Sequence, residues 1–276
     1  MIFSPKITIF AAVNLKQTKY MKYLTSKANP LLCKMFSEHT ELLISFLNAL
    51  LPLNAQEEEI SEVEFLLFEQ ALCNPFVSDN VVSVRCKDRA GKSFVVEMQV
   101  MWTTAFRWHV RFGDSKACLN PPAKSRKRET QLPIYSLNLV SEIFFPGEEY
   151  YHDFKTVTNA DTDEVPEGLR LIFIELPKFT PRNYGEKKMR VLWLRYLTEI
   201  DEHTIEVPHE LKENPETSRA IALLEASAFT EAQLLGYDRF WDSVSTAKML
   251  LSSSYREGVE EGLKEAREAI RKKTLA

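Results

Sequence analysis

The stretch from Ser83 to Val100, SVRCKDRAGKSFVVEMQV, constrains the fold of this chain more than any other. Two runs that alternate apolar and polar residues flank a polar turn containing glycine, which is the pattern of an antiparallel hairpin. With a turn centred on Arg89 and Ala90, paired positions sum to about the same number, and Ser83 falls across from Glu97. Period-two alternation puts Val81, Ser83 and Arg85 on one face, where Val95, Glu97 and Gln99 meet them. The second strand is otherwise built of Phe94, Val95, Val96 and Met98, so Glu97 and Gln99 need a reason to be there. Two carboxylates facing each other at positions 83 and 97 would hold a hard divalent cation, with the group at 99 placing water or steadying phosphate charge. Here one of those positions is a serine. The residues alone also allow a plainer reading, in which Glu97 is an edge-strand acid paired with Arg85 or a lysine.

Composition narrows the classes. The chain has 276 residues, 45% hydrophobic and 27% charged, enough to bury a core. Its net charge of −4 excludes a basic nucleic-acid coat, so any nucleic-acid contact must come from a local patch. Cys33, Cys73, Cys86 and Cys118 show no CxxC or Cys/His spacing, which argues for reduced thiols and against structural zinc or disulfides. The apolar run from Ile7 to Val13 is short for a secretory signal, and no segment approaches the ~20 apolar residues a bilayer requires. A cytoplasmic protein without a membrane role is expected, with Met21 an alternative start to Met1. No phosphate-cradling glycine loop is present. The histidines lack ligand spacing, and the cysteines have no evident activating partner. Trp102, Phe106, Trp108 and Phe112 carry a core-packing reading ahead of a base-stacking one.

Along the chain, Asn29 and Pro30 open a helix, with Asn29 serviceable as its cap. This helix runs into, or pairs with, TELLISFLNALLPL, whose Leu42, Leu43, Phe46, Leu47 and Leu50 recur at helical spacing. VEFLLFEQ reads as a strand before the hairpin. LPIYSLNLVSEIFF and LRLIFIELPKF read as buried strands, the first with some helical character. TTAFRWHVRFGDSKACL is helical in pattern, and Asn120–Glu129 is an exposed basic loop, either solvated or in contact with phosphate. From Lys187 onward the pattern is helical, ending in a charged tail in which Gly258 and Gly262 lie four residues apart.

The segments EHTELLISFLNALLPL, VRCKDRAGKSFVVEMQ, YYHDFKTV, LRLIFIELPKF, LWLRYLTEI and YREGVEEG, in that order, resemble the PD-(D/E)XK nuclease family transposases, the recombination-promoting nucleases. The resemblance covers the chain from about Lys27 to the tail. It implies an α/β fold, a restriction-endonuclease-like mixed-sheet core flanked by helices, with a helical C-terminal region. It also implies Mg²⁺- or Mn²⁺-dependent cleavage of double-stranded DNA. Expected boundaries are a variable extension at 1–24, the nuclease-like core at 25–183, a helical subdomain at 184–252 and a charged helical tail at 253–276. The tail is a candidate for homo-oligomer contacts.

Carried over residue by residue, Glu97 matches the family's metal-binding glutamate and Gln99 the following polar residue. Ser83 stands where the resemblance implies a metal-binding aspartate, and Asn29 where it implies an aspartate in the first helix. Asp79 shares the Ser83 face but lies about 13 Å along an extended strand, and Asp88 has the opposite parity. His109, in place of an arginine, and the Pro-Pro segment within residues 118–130 fit a locally rearranged copy. The expectation is therefore a metal-dependent DNA endonuclease with impaired activity. A non-catalytic DNA-binding relic and a self-associating interaction protein are the alternatives.

Overall fold

The computed structural model describes residues 22–53, 55–66, 81–101, 132–155, 169–181 and 188–274. The expectations placed on Asp79, Cys73, Cys118, His109, Trp102, Phe106, Trp108, Phe112 and residues 118–130 lie outside the described residues.

Two helices open the described chain, α1 at Asn29–Glu38 and α2 at Thr40–Leu50. They are separate because His39 leaves helical geometry, with φ −135° and ψ 75°. The N-cap of α1 is Ala28, without a side-chain hydrogen bond, and Asn29 is already helical, which corrects the capping role expected of it. Leu42, Leu43, Phe46, Leu47 and Leu50 are all buried, as their spacing requires.

Six strands form one mixed sheet in the order β1-β2-β3-β4-β6-β5. Their spans are β1 Ile60–Phe65, β2 Val81–Asp88, β3 Ser93–Met101, β4 Ile134–Val140, β5 Tyr151–Lys155 and β6 Leu169–Glu175. The first strand starts earlier than its apolar run suggested, and the segment around Tyr135 is strand rather than helix. β1, β2 and β3 are antiparallel, β3, β4 and β6 are parallel, and β5 closes the edge antiparallel to β6. The hairpin turn works through Gly91, whose φ of +81° a side chain would resist. Asp88 fixes the turn by accepting the Lys92 amide at 2.8 Å.

Three more elements pack with α1 and α2: α3 at Lys188–Glu199, α4 at His209–Glu213 and α5 at Pro215–Ala222. The core joins Val84, Val96, Met98, Leu137, Ile172 and Ile174 of the sheet to Phe36, Phe46, Trp193 and Tyr196 of the helices. Phe46 meets Trp193 edge-on at 5.3 Å between ring centroids. The buried segment at Tyr23 and Leu24 adds to this core, and Leu24 donates its amide to the Leu224 carbonyl.

The last helix, α6, runs unbroken over Glu231–Thr274, 44 residues, so the charged tail continues the subdomain helix. Its start is fixed reciprocally: the Gln233 side chain accepts the Thr230 amide at 2.9 Å, and Thr230 Oγ1 accepts the Gln233 amide at 3.3 Å. Tyr237 and Phe240 are buried against the body, whereas Tyr255, Val259 and Leu263 are exposed.

Candidate active site

The helix-covered face of the sheet takes the even-numbered residues of β2 and β3, which leaves Ser83, Glu97 and Gln99 on the other face. The hairpin register pairs Ser83 with Glu97, as expected, about a turn centred on Ala90. Parallel pairing on the far side of β3 aligns Glu97 with Ser136 and Gln99 with Asn138. Glu97 therefore stands in a row across three strands with a hydroxyl-bearing residue on each side, neighbouring strands being about 4.8 Å apart. Glu97 and Gln99 are both half-buried.

β3 lies inside the sheet between β2 and β4, which corrects the reading of Glu97 as an edge-strand acid. Arg85 is committed elsewhere: its Nη1 donates to Glu64 at 3.2 Å, and Lys87 pairs with Glu62 at 3.3 Å. Both cations of β2 thus face β1 rather than Glu97. Asp88 is buried at the turn on the core side. Asn29 opens α1, whose Leu31, Leu32, Cys33, Met35 and Phe36 are buried in the core.

Behind Gln99 the amides form a short chain. Gln99 Nε2 donates to Asn138 Oδ1 at 2.5 Å. Asn138, fully buried, donates through Nδ2 to the Ser136 and Ile172 carbonyls, each at 3.2 Å. A buried asparagine is tolerable here because every polar atom it carries is engaged.

A divalent ion of the magnesium type is held by hard, preferably anionic oxygens. The row offers one carboxylate, the hydroxyls of Ser83 and Ser136, and an amide. Among the described residues no group of three or more His, Cys, Asp or Glu side chains is arranged to hold a metal ion. Among the described residues this donor set does not fit a resident divalent cation. Cys86, on the core side of the hairpin, is no nucleophile, since burial pushes its thiol up to about 12.

The sequence reading missed a second polar constellation on the same face. Glu175, at the end of β6, has no exposed surface. Its Oε1 accepts the backbone amides of Phe144 and Phe145, and its Oε2 meets His152 Nε2 at 2.8 Å and Lys178 Nζ at 2.7 Å. Burial pushes this carboxyl up, but Lys178, the two amides and His152 outweigh it and hold the group below the usual carboxylate range. Lys178 also donates to the Phe145 carbonyl at 2.7 Å, so the cluster pins the loop after β4 to β5 and β6. The available signal was the acid closing the apolar run LRLIFIELPK, with a lysine three residues on.

A mixed sheet flanked by helices, with an E-x-Q strand beside a hairpin partner at its centre, defines a nuclease-like α/β protein of the PD-(D/E)XK kind. The chain belongs to the PD-(D/E)XK nuclease family transposases, whose family model matches residues 33–252. No curated protein and no solved structure matches it. Nucleases of this kind generally use divalent metal ions, and the family indicates a DNA substrate. Among the described residues, no helix is long and apolar enough to cross a membrane.

Proposed function

We propose that this chain is a metal-dependent DNA endonuclease of the recombination-promoting type in which cleavage is impaired by loss of charge at the cation site. The observation that carries the reading is the register of Ser83 against Glu97, which puts a neutral hydroxyl where a second carboxylate would have to stand. Serine contributes no negative charge, and Mg²⁺ or Mn²⁺ beside Glu97 alone would keep too little of its charge compensated to displace bound water. Asn29 removes a second acid by the same family logic. Glu97 is the metal ligand in this reading, and Gln99 lies near the attacking water.

Supercoiled plasmid incubated with Mg²⁺ or Mn²⁺, or with chelator, tests it. The native protein is expected to leave the plasmid intact, while Ser83→Asp/Asn29→Asp nicks it only with metal and not when Glu97→Ala is added. Metal-dependent cutting by the native chain that Glu97→Ala abolishes would overturn the reading. Native protein that retains double-stranded DNA with a steep salt dependence but never cuts, even as the double revertant, would establish a non-catalytic binder instead.

A second reading is favoured by one observation, the run of exposed apolar side chains Tyr255, Val259 and Leu263 along α6. Their four-residue spacing keeps them on one helix face, and self-association would cover them. Light scattering on a chain ending before Tyr255 checks this, because an oligomer that survives truncation removes the tail from the interface.

A further inference from the structure

Of the eight large hydrophobic side chains exposed among the described residues, five belong to the last helix: Met249, Leu250, Tyr255, Val259 and Leu263. Single apolar residues scattered over a surface need no explanation, but a run along one helix calls for a cover. α6 is joined to the body by its buried Tyr237 and Phe240, and Lys248 still reaches back, its Nζ 3.7 Å from Glu142. Beyond Lys248 the described side chains are exposed, Ser253 apart.

Charge along the helix says what the cover is. Residues 257–261 hold three glutamates, Glu257, Glu260 and Glu261, and no base. Residues 267–273 hold four bases, Arg267, Arg271, Lys272 and Lys273, against one acid, Glu268. The helix is unbroken over both stretches, so their centres lie about 16 Å apart on one rod. A second copy laid alongside in the same direction would stack acid on acid and base on base. Turned end for end, it sets each acidic stretch against the basic stretch of the other copy.

We propose that α6 pairs antiparallel with α6 of a second copy of this chain, about a twofold axis near residues 264 and 265. The proposal rests on the self-association reading of the exposed run and adds the direction and register of the partner. That register sets Val259 across from position 270, an isoleucine, and Leu263 across from Ala266, so that apolar positions meet along the seam between the charged stretches. Complementary charge fixes the direction of such a pair, because the parallel arrangement places like charges together. A twofold contact between identical surfaces closes on itself, so association stops at two copies.

Charge inversion on the full-length chain tests the direction. Light scattering compares the native protein with Glu257→Lys/Glu260→Lys/Glu261→Lys, with Arg267→Glu/Arg271→Glu/Lys272→Glu/Lys273→Glu, and with a chain carrying both sets. Either set alone gives the tail one sign, and self-association is expected to weaken about tenfold or more. Both sets together restore opposite stretches, and dimers are expected to return. Single sets that leave self-association unchanged, or a combined chain that stays monomeric, would overturn the antiparallel direction while the self-association reading stands. Affinity capture from a mixture of tagged native and untagged doubly inverted chains gives a second readout. The two are expected to stay apart, since an antiparallel mixed pair faces like charges at both ends, and mixed dimers would sink the proposal. Native protein that remains monomeric at its highest soluble concentration would remove the self-association reading and the proposal together.

Discussion

Two carboxylates project from the same face of one sheet, and their surroundings are opposite. Glu175 lies at the end of a parallel strand, receives two backbone amides, a histidine and a lysine, and is closed off from water. Glu97 lies mid-strand and half-buried, with Ser83 and Ser136 as its partners in register. The first arrangement saturates its acceptors with charge and leaves nothing to bind. The second holds a half-buried carboxylate with a serine opposite it on each neighbouring strand, where one added acid would change what it can hold. Burial with full satisfaction marks a carboxylate that builds the fold, and partial exposure in a strand interior marks one that the fold presents.

The most direct way to break this comparison is to remove each acid. Glu175→Ala strands Lys178 in a site where its side chain is 8% exposed, and strips the partner from two backbone amides. Breaking a buried pair from one side costs about 3–5 kcal/mol, so chemical denaturation should report a loss of that size or insoluble protein. Glu97→Ala, at a half-buried position facing Ser83 and Ser136, should cost clearly less, about 1 kcal/mol. Similar losses at both sites would erase the distinction.

A smaller effect sharpens it from the other side. Ser83→Asp places a second carboxylate across from Glu97, and binding to the folded state alone stabilises by about 2.7 kcal/mol when the ion is present at a hundred times its dissociation constant. Thermal melts with Mn²⁺ should rise for Ser83→Asp and stay flat for the native chain. No such response is expected from any substitution around Glu175, whose acceptors are already taken.

How much of this was legible beforehand follows from the distance over which each feature is specified. The hairpin register is local, set by a turn within eighteen residues, so the sequence delivered the pairing of Ser83 with Glu97 correctly. Ser136 and Asn138 reach β3 only because β4 pairs parallel to it, and a parallel neighbour cannot be assigned a register from its own apolar pattern. The Glu175 cluster draws on the β4 to β5 loop, β5 and the turn after β6, three segments whose meeting is decided by tertiary packing. His39, which separates α1 from α2, carries no helix-breaking residue type, and the sequence left one helix or two open for that reason.

Acid titration reads the Glu175 cluster directly. Glu175 is held below the usual carboxylate range, and so is Asp153, chiefly by the Arg170 guanidinium, whose Nε donates at 2.7 Å. A group depressed in the folded state contributes stability that is present above its unfolded value, about 4.3 for glutamate, and lost as pH falls through the folded one. Melting temperature should therefore fall as pH drops below roughly 4.5. Glu175→Gln should make that fall shallower, and so should Asp153→Asn.

The smallest effect concerns Arg85. Arg85 shares a face with Ser83, and a reader of the sequence alone would pair it with Glu97. The structure instead sends its guanidinium across β2 to Glu64, with side chains 49% and 69% exposed. Exposed pairs of this kind are worth about 0.2–1 kcal/mol and weaken with salt. A double-mutant cycle between Arg85 and Glu64 should give coupling in that range at low ionic strength, and one between Arg85 and Glu97 should give close to none. Coupling to Glu97 instead would mean that the Arg85 guanidinium turns toward β3 rather than β1, and the pairing with Glu64 that keeps it away from the Ser83–Glu97 row would fail.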